Sequence, residues 1–169
     1  MDVDSFRYLP PLIKRYYQLS SVRKDLPIPF TRVRKPLGEC RFGLVTSGGL
    51  YRKGHEAPFD EEREAREPAW GDPSFRTLPV DMAPGEVGVS HLHINRRGAL
   101  ADMNVLLPIQ RFQELVAERR VGALAPHAYS FMGYQGFPAD LRGWRDVYGP
   151  AVRDRLLADG ADCVLLTTA

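Results

Sequence analysis

Asp159–Ala169 reads DGADCVLLTTA, and this stretch decides the fold class. Gly160 is a natural helix stop, because glycine accepts the left-handed backbone that follows a last helical turn. After it comes an apolar run that predicts a buried strand over Asp162–Thr167. Upstream, Pro150 opens a helix over Ala151–Ala158, its missing N–H costing nothing at a first helical turn. A helix that passes through a short turn into a buried strand is half of a parallel β-α-β unit. In such sheets the chemistry sits just past the carboxyl ends of the strands. The given chain stops where that loop would begin, so the expectation is a sheet incomplete at its C-terminal side.

Working outward, Arg41–Ser47 (RFGLVTS) is a second apolar run, closed by Ser47-Gly48-Gly49 as a tight turn. Val87–Ile94 and Val121–Leu124 read as further strands. Between them Ile109, Phe112, Leu115 and Val116 share one face of a helix over Ile109–Arg119, begun by Pro108. The order of elements predicts an α/β fold: a mostly parallel sheet flanked by helices, in a Rossmann-like three-layer arrangement. One domain over 1–169 is expected. Its N-terminal part, 1–36, holds an amphipathic helix over Asp4–Leu19 and an extended, proline-punctuated arm over Leu26–Pro36. The sheet-forming core is 37–169. Within it Gly54–Phe75 is a long polar loop with a helical turn at Glu61–Glu67, and a loop of that length is either functional or mobile.

Composition removes several classes. The formal net charge is +2, from 23 basic and 21 acidic residues, which gives no electrostatic case for nucleic acid. No stretch approaches the roughly eighteen apolar residues of a membrane span. The opening MDVDSFRYLP lacks a signal-peptide apolar region, so a cytoplasmic location is expected. Cys40 and Cys163 are far apart in sequence without CxxC spacing, and read as free thiols.

Three segments carry side chains suited to chemistry. Gly48 and Gly49 follow a strand, where exposed N–H groups can hold a carboxylate or phosphate; the alternative is a turn that needs positive φ. His91 and His93 in VSHLHIN share a face if their strand is regular. That spacing suits proton transfer or metal ligation, with Asp102, His55 or His127 as a third partner; the alternative is a hydrogen-bonded lock on the long loop. His127, Tyr129 and Ser130 lie in LAPHAYSFMGYQG, read as a loop at a strand's carboxyl edge, where a packed turn is the alternative. Arg76 in GDPSFR either grips a carboxylate or braces a turn.

Six segments in order, VTSGGLYRKG, EAPFD, GDPSFRTLP, VSHLHIN, ALADMNVLLPIQRFQELVAERRVGALAPHAYSFMGY and DGADCVLLTTA, resemble the selenoprotein B type subunits of glycine, sarcosine, betaine and D-proline reductases. The resemblance covers most of the chain from Pro36 onward. It implies a two-electron reductive cleavage of a C–N bond in a small carboxylate-bearing substrate, by a selenol or thiol nucleophile. Partner subunits, one of them pyruvoyl-bearing, and a thiol electron donor are implied with it. So are catalytic roles for His91, His93 and His127, and substrate contacts for Gly48, Gly49, Tyr51, Tyr129 and Ser130. No metal and no cofactor are expected in this chain. The selenocysteine or cysteine is expected downstream of Thr167, so the chain reads as truncated before its redox segment, as a UGA codon taken for a stop would leave it. An unfinished edge strand predicts self-association into a homo-oligomer. The alternatives are a non-catalytic binding or assembly subunit, and a hydrolase using Ser130 or a histidine-bound metal.

Overall fold

The structure, a computed structural model, describes residues 9–19 and 31–168. The chain divides into two units, Met1–Arg32 and Val33–Ala169. In the first, α1 (Pro11–Leu19) begins at a proline, with Lys14 N–H bonded to Pro10 O at 2.9 Å. The front of the helix expected from Asp4 and residues 26–30 of the expected arm lie outside the described residues.

The second unit is organised around β1 (Arg41–Thr46). After it come β2 (Leu50–Arg52), α2 (Glu61–Arg66), β3 (Phe75–Pro79), β4 (Val87–Val89), α3 (Arg96–Ala101) and α4 (Ile109–Ala117). Then β5 (Ala123–Leu124), β6 (His127–Phe131), α5 (Gly149–Ala158) and β7 (Cys163–Thr167) complete it. One edge of β1 pairs with β7 in parallel, from Phe42↔Cys163 to Thr46↔Thr167. The other edge pairs first with β5 at Arg41↔Ala123 and then with β6 at Thr46↔Ser130, both also parallel. β3 closes the far side antiparallel to β6. The expected α/β fold with a mostly parallel sheet is therefore present. β2 and β4 form a separate antiparallel ribbon.

Side chains alternate across β1. Phe42 meets Phe112 of α4, ring centroids 5.2 Å apart. Its neighbour Gly43 faces the other way, where a Cβ would stand 2.4 Å from Leu156 Cδ2 of α5. Helices therefore cover both faces. One core joins Leu44, Leu78, Leu107 and Ile109 to Leu50, Val87 and Val89 of the ribbon; the other joins Tyr129 and Phe131 to Val152 and Leu156. Each such side chain contributes about 1.5–3 kcal/mol on burial.

Several boundaries differ from expectation. β4 stops at Val89, so His91 and His93 lie in the turn beyond it and not on a strand face. The expected strand over Val121–Leu124 shortens to β5. HAYSF, expected as a loop, is the strand β6, buried from Ala128 onward. Gly160 does end α5, with φ +74°. A π-helical turn, Trp144–Tyr148, precedes that helix. The long loop is packed down. The Arg76 guanidinium donates to Ala57 O at 2.7 Å, Pro58 O at 3.0 Å and Ser74 Oγ at 2.8 Å, and lies 4.0 Å over the ring of Phe59. Arg76 thus braces a turn, and its donors are spent within the fold.

Candidate functional site

The carboxyl end of β1 runs into Ser47-Gly48-Gly49. Gly49 has φ +65°, and a Cβ there would stand 2.3 Å from Ser90 O. Glycine is needed on both counts. Ser90 N–H donates to Gly49 O at 2.8 Å, so the turn pins the segment that carries the two histidines beside the end of β1. The turn does not offer an anion cradle of the kind expected from sequence. Gly48 N–H donates to Thr46 Oγ1 at 3.1 Å and Gly49 N–H to Phe131 O at 2.9 Å. Ser47 N–H donates to Thr167 O at 3.0 Å.

His91 is 3% exposed. Its Nδ1 accepts the His93 N–H at 3.2 Å, which puts the proton of a neutral imidazole on Nε2. That Nε2 is buried without a hydrogen-bond partner among the described residues. It faces Gly133, where a Cβ would stand 3.1 Å from Nε2 and 3.0 Å from Ser47 O. Burial, and then the neighbouring His93, hold the His91 imidazole below its ordinary range. His91 is a neutral donor at the carboxyl end of the sheet.

His93 stands out from the surface, its side chain 51% exposed, with Nε2 3.2 Å from Glu64 Oε1. The contact is within ion-pair reach but off the hydrogen-bond angle, and Oε1 has no hydrogen-bond partner among the described residues. Glu64 is buried, and burial pushes its carboxyl above the usual range, opposed by His93 and reinforced by Glu61 and Asp72. The Tyr134 ring lies against His93, centroids 4.4 Å apart. Its hydroxyl donates to Pro68 O of the long loop. Glu64 arrives on α2, whose first turn is capped by Asp60 Oδ1 accepting Arg63 N–H at 2.9 Å. Arg96 holds the same helix through both oxygens of Glu61, at 3.0 and 3.1 Å.

The other expected residues lie elsewhere. His127 opens β6 at the amino end of the parallel strands, its Nδ1 3.2 Å from Asp159 Oδ2. Tyr129 is buried mid-strand with its hydroxyl 3.4 Å from the same oxygen; burial, with the Asp159 charge, pushes its phenol up to about 12. Ser130 is fully buried and its Oγ accepts Leu50 N–H at 2.7 Å, which removes it as a nucleophile. Tyr51 sits on β2 opposite Gly88, where a Cβ would collide with its ring. Asp102 Oδ1 accepts Asn104 N–H at 3.0 Å as a cap. Among the described residues no group of three His, Cys, Asp or Glu is arranged to hold a metal. No helix among them is long and apolar enough to cross a membrane. Cys40 and Cys163 are free thiols, yet they are neighbours, and burial and the Cys40 thiol push Cys163 upward.

What comes together is therefore His91, His93, Glu64 and Tyr134, beside Ser47 and Gly133. Sequence reasoning missed Glu64 and Tyr134. Glu64 is one of four glutamates in Glu61–Glu67, and nothing local separates it from the others. Tyr134 follows a strand end, and reading HAYSF as a strand would have exposed it.

An α/β sheet with an imidazole–carboxylate pair at the carboxyl end of its parallel strands defines a class: proteins that can manage protons on a small ligand at the sheet edge. The chain is similar to D-proline reductase subunit gamma of Acetoanaerobium sticklandii, 32% identical over 141 residues, which is 83% of this chain and 53% of that protein. It is also similar to glycine reductase complex component B subunit gamma of Carboxydothermus hydrogenoformans, 26% identical over 151 residues, 85% of this chain and 33% of that protein. The chain thus spans about half of the first relative's length and a third of the second's. These similarities support the reductase family that the motif order suggests. No family model and no solved structure matches the chain.

Proposed function

We propose that this chain is part of a subunit of a D-proline or glycine reductase-like complex, of the selenoprotein B type, and that it builds the substrate side of the site. The similarity to the D-proline reductase subunit over 83% of this chain carries this reading. The reaction is a two-electron reduction. A selenolate or thiolate attacks the carbon that bears the nitrogen, the C–N bond breaks and the amine leaves with a proton. A dithiol then supplies the electrons, so that a C–H bond replaces the C–N bond and a disulfide is formed. A pyruvoyl-bearing partner would activate the amine, and a selenocysteine or cysteine beyond β7 would be the nucleophile. Two features support that position: Ser47 N–H binds Thr167 O, and Ser47 O lies beside the Gly133–His91 contact. His93, the exposed imidazole, takes up and returns the proton, and the buried His91 anchors the segment that carries it through the His93 N–H.

The test is dithiol-dependent reduction of D-proline and of glycine by the assembled complex carrying this subunit. Turnover of either supports the reading. Turnover of neither, in a complex that assembles, overturns it. The nucleotide sequence past the Ala169 codon tests the nucleophile: UGA or a cysteine codon in an open frame supports it.

A second reading, a non-catalytic assembly subunit, is favoured by one observation. Val164 and Leu166 of β7 and Leu157 of α5 are exposed along one apolar groove of about 420 Å³.

A further inference from the structure

Glutamate is among the residue types least often found inside a protein. Yet the buried residue of α2 is Glu64, while Glu62 of the same helix is exposed and Glu61 half-buried. Its Oε1 is shut away from solvent without a hydrogen bond among the described residues. A buried carboxylate with an unmatched oxygen costs free energy. Glu64 therefore does not serve the stability of the fold, and the neighbour it serves is the His93 ring, 3.2 Å away.

We propose that Glu64 is a positioning residue: carried on α2, it holds the His93 imidazole at the carboxyl end of β1 and makes the 54–75 loop part of the site. The ring is held on two sides, by Tyr134 across its face and by Glu64 at Nε2. Its backbone is fixed by the N–H bond to His91 Nδ1. Glu64 in turn cannot drift. Its helix is capped by Asp60, clasped by Arg96 through Glu61, and braced by Arg63, which lies 4.3 Å over the Trp70 ring. Arg96 opens α3 just after the histidine segment, so one short stretch carries both His93 and the arm that grips α2. With Nε2 3.2 Å from a carboxylate oxygen, the proton a ligand exchanges is handled by the other ring nitrogen, and Glu64 balances the charge of the imidazolium. The raised carboxyl of Glu64 agrees with a group kept for its neighbour at the expense of the fold.

The assignment of His93 to proton transfer rests on the proposed reductase reading; the positioning of its ring does not, and the test separates the two. Glu64→Gln, Glu64→Asp and Arg96→Ala are compared with the parent in the assembled complex. Three quantities are read: thermal midpoint, site-resolved carbethoxylation of His93 against His55 and His127, and kcat and KM for D-proline or glycine. Expected for Glu64→Gln are a thermal midpoint equal to or above the parent's and His93 labelling severalfold faster, with His55 and His127 unchanged. A fall in kcat of about 10- to 100-fold with a smaller change in KM is expected beside these. Glu64→Asp restores part of kcat, and Arg96→Ala raises His93 labelling without touching Glu64. A Glu64→Gln protein that melts lower, with His93 labelling and kcat at parental values, overturns the proposal. If the parent complex itself turns over neither substrate, the reductase reading falls, and labelling alone still decides whether Glu64 holds the ring.

Discussion

Two histidine–carboxylate pairs in this molecule share the same separation, 3.2 Å, and differ in almost everything else. His127 and Asp159 lie at the amino end of the parallel strands, and Tyr129 shares the carboxylate. His93 and Glu64 lie at the carboxyl end. There the carboxylate is the buried partner, 2% exposed against 18% for Asp159. Distance alone does not distinguish the two pairs. What separates them is how far the carboxylate is taken out of water, because a partly solvated pair is worth about 0–1 kcal/mol and a buried charge is costly unless it is well paired.

The comparison breaks most sharply in turnover. On the proposed reductase reading, His93→Ala is expected to lower kcat of the assembled complex by about 10²–10⁴-fold, the usual range for losing a proton-transfer group. His127→Ala, measured in parallel, is expected to leave kcat within a fewfold of the parent. Equal losses at both positions would erase the distinction between the two ends of the sheet.

A second contrast concerns stability against pH. The folded-state value of Glu64 is raised, by burial first, with His93 opposing and Glu61 and Asp72 reinforcing. Below the ordinary carboxylate range both folded and unfolded forms are protonated, and no penalty exists. Above the raised value both are ionised, and the penalty is fully present. The Glu64 contribution to stability therefore falls as pH rises across that window, and Glu64→Gln removes that contribution. Urea midpoints of the two proteins should coincide near pH 4 and separate by pH 8, the glutamine variant being the more stable. Separation in the opposite sense would mean that Glu64 stabilises the fold.

Smaller effects are expected at the amino end. Asp159→Asn should cost about 0.2–1 kcal/mol. Tyr129→Phe removes only the hydroxyl contact and keeps the edge-on packing against Phe75, at 5.8 Å; it should cost about 0.5–1.5 kcal/mol. Chemical denaturation measures both, with kcat unchanged in each.

What could be read in advance follows from what is local. β1, α4, α5 and β7 each carry their signal in their own residues: an apolar run, a helical face, a proline at one end, a glycine at the other. β6 does not. Pro126 stands just before it, and its tyrosine and serine suggest a loop until their partners are known. Those partners, Asp159 for Tyr129 and the Leu50 N–H for Ser130, come from distant parts of the chain. The site behaves likewise. His91 and His93 stand out by spacing, but their opposite fates, one buried and one exposed, follow from β4 ending at Val89. Glu64 is invisible in sequence because its burial is decided by where α2 docks.

β1 is bonded along both edges, by β7 on one side and by β5 and then β6 on the other. The β2–β4 ribbon is joined by three register pairs. In terms of local opening, the amides at the centre of β1 should exchange with solvent only when the whole unit unfolds, whereas the ribbon can part at lower free energy. The histidine segment begins where that ribbon ends. The candidate site is thus mounted where the doubly bonded central strand meets the shorter ribbon.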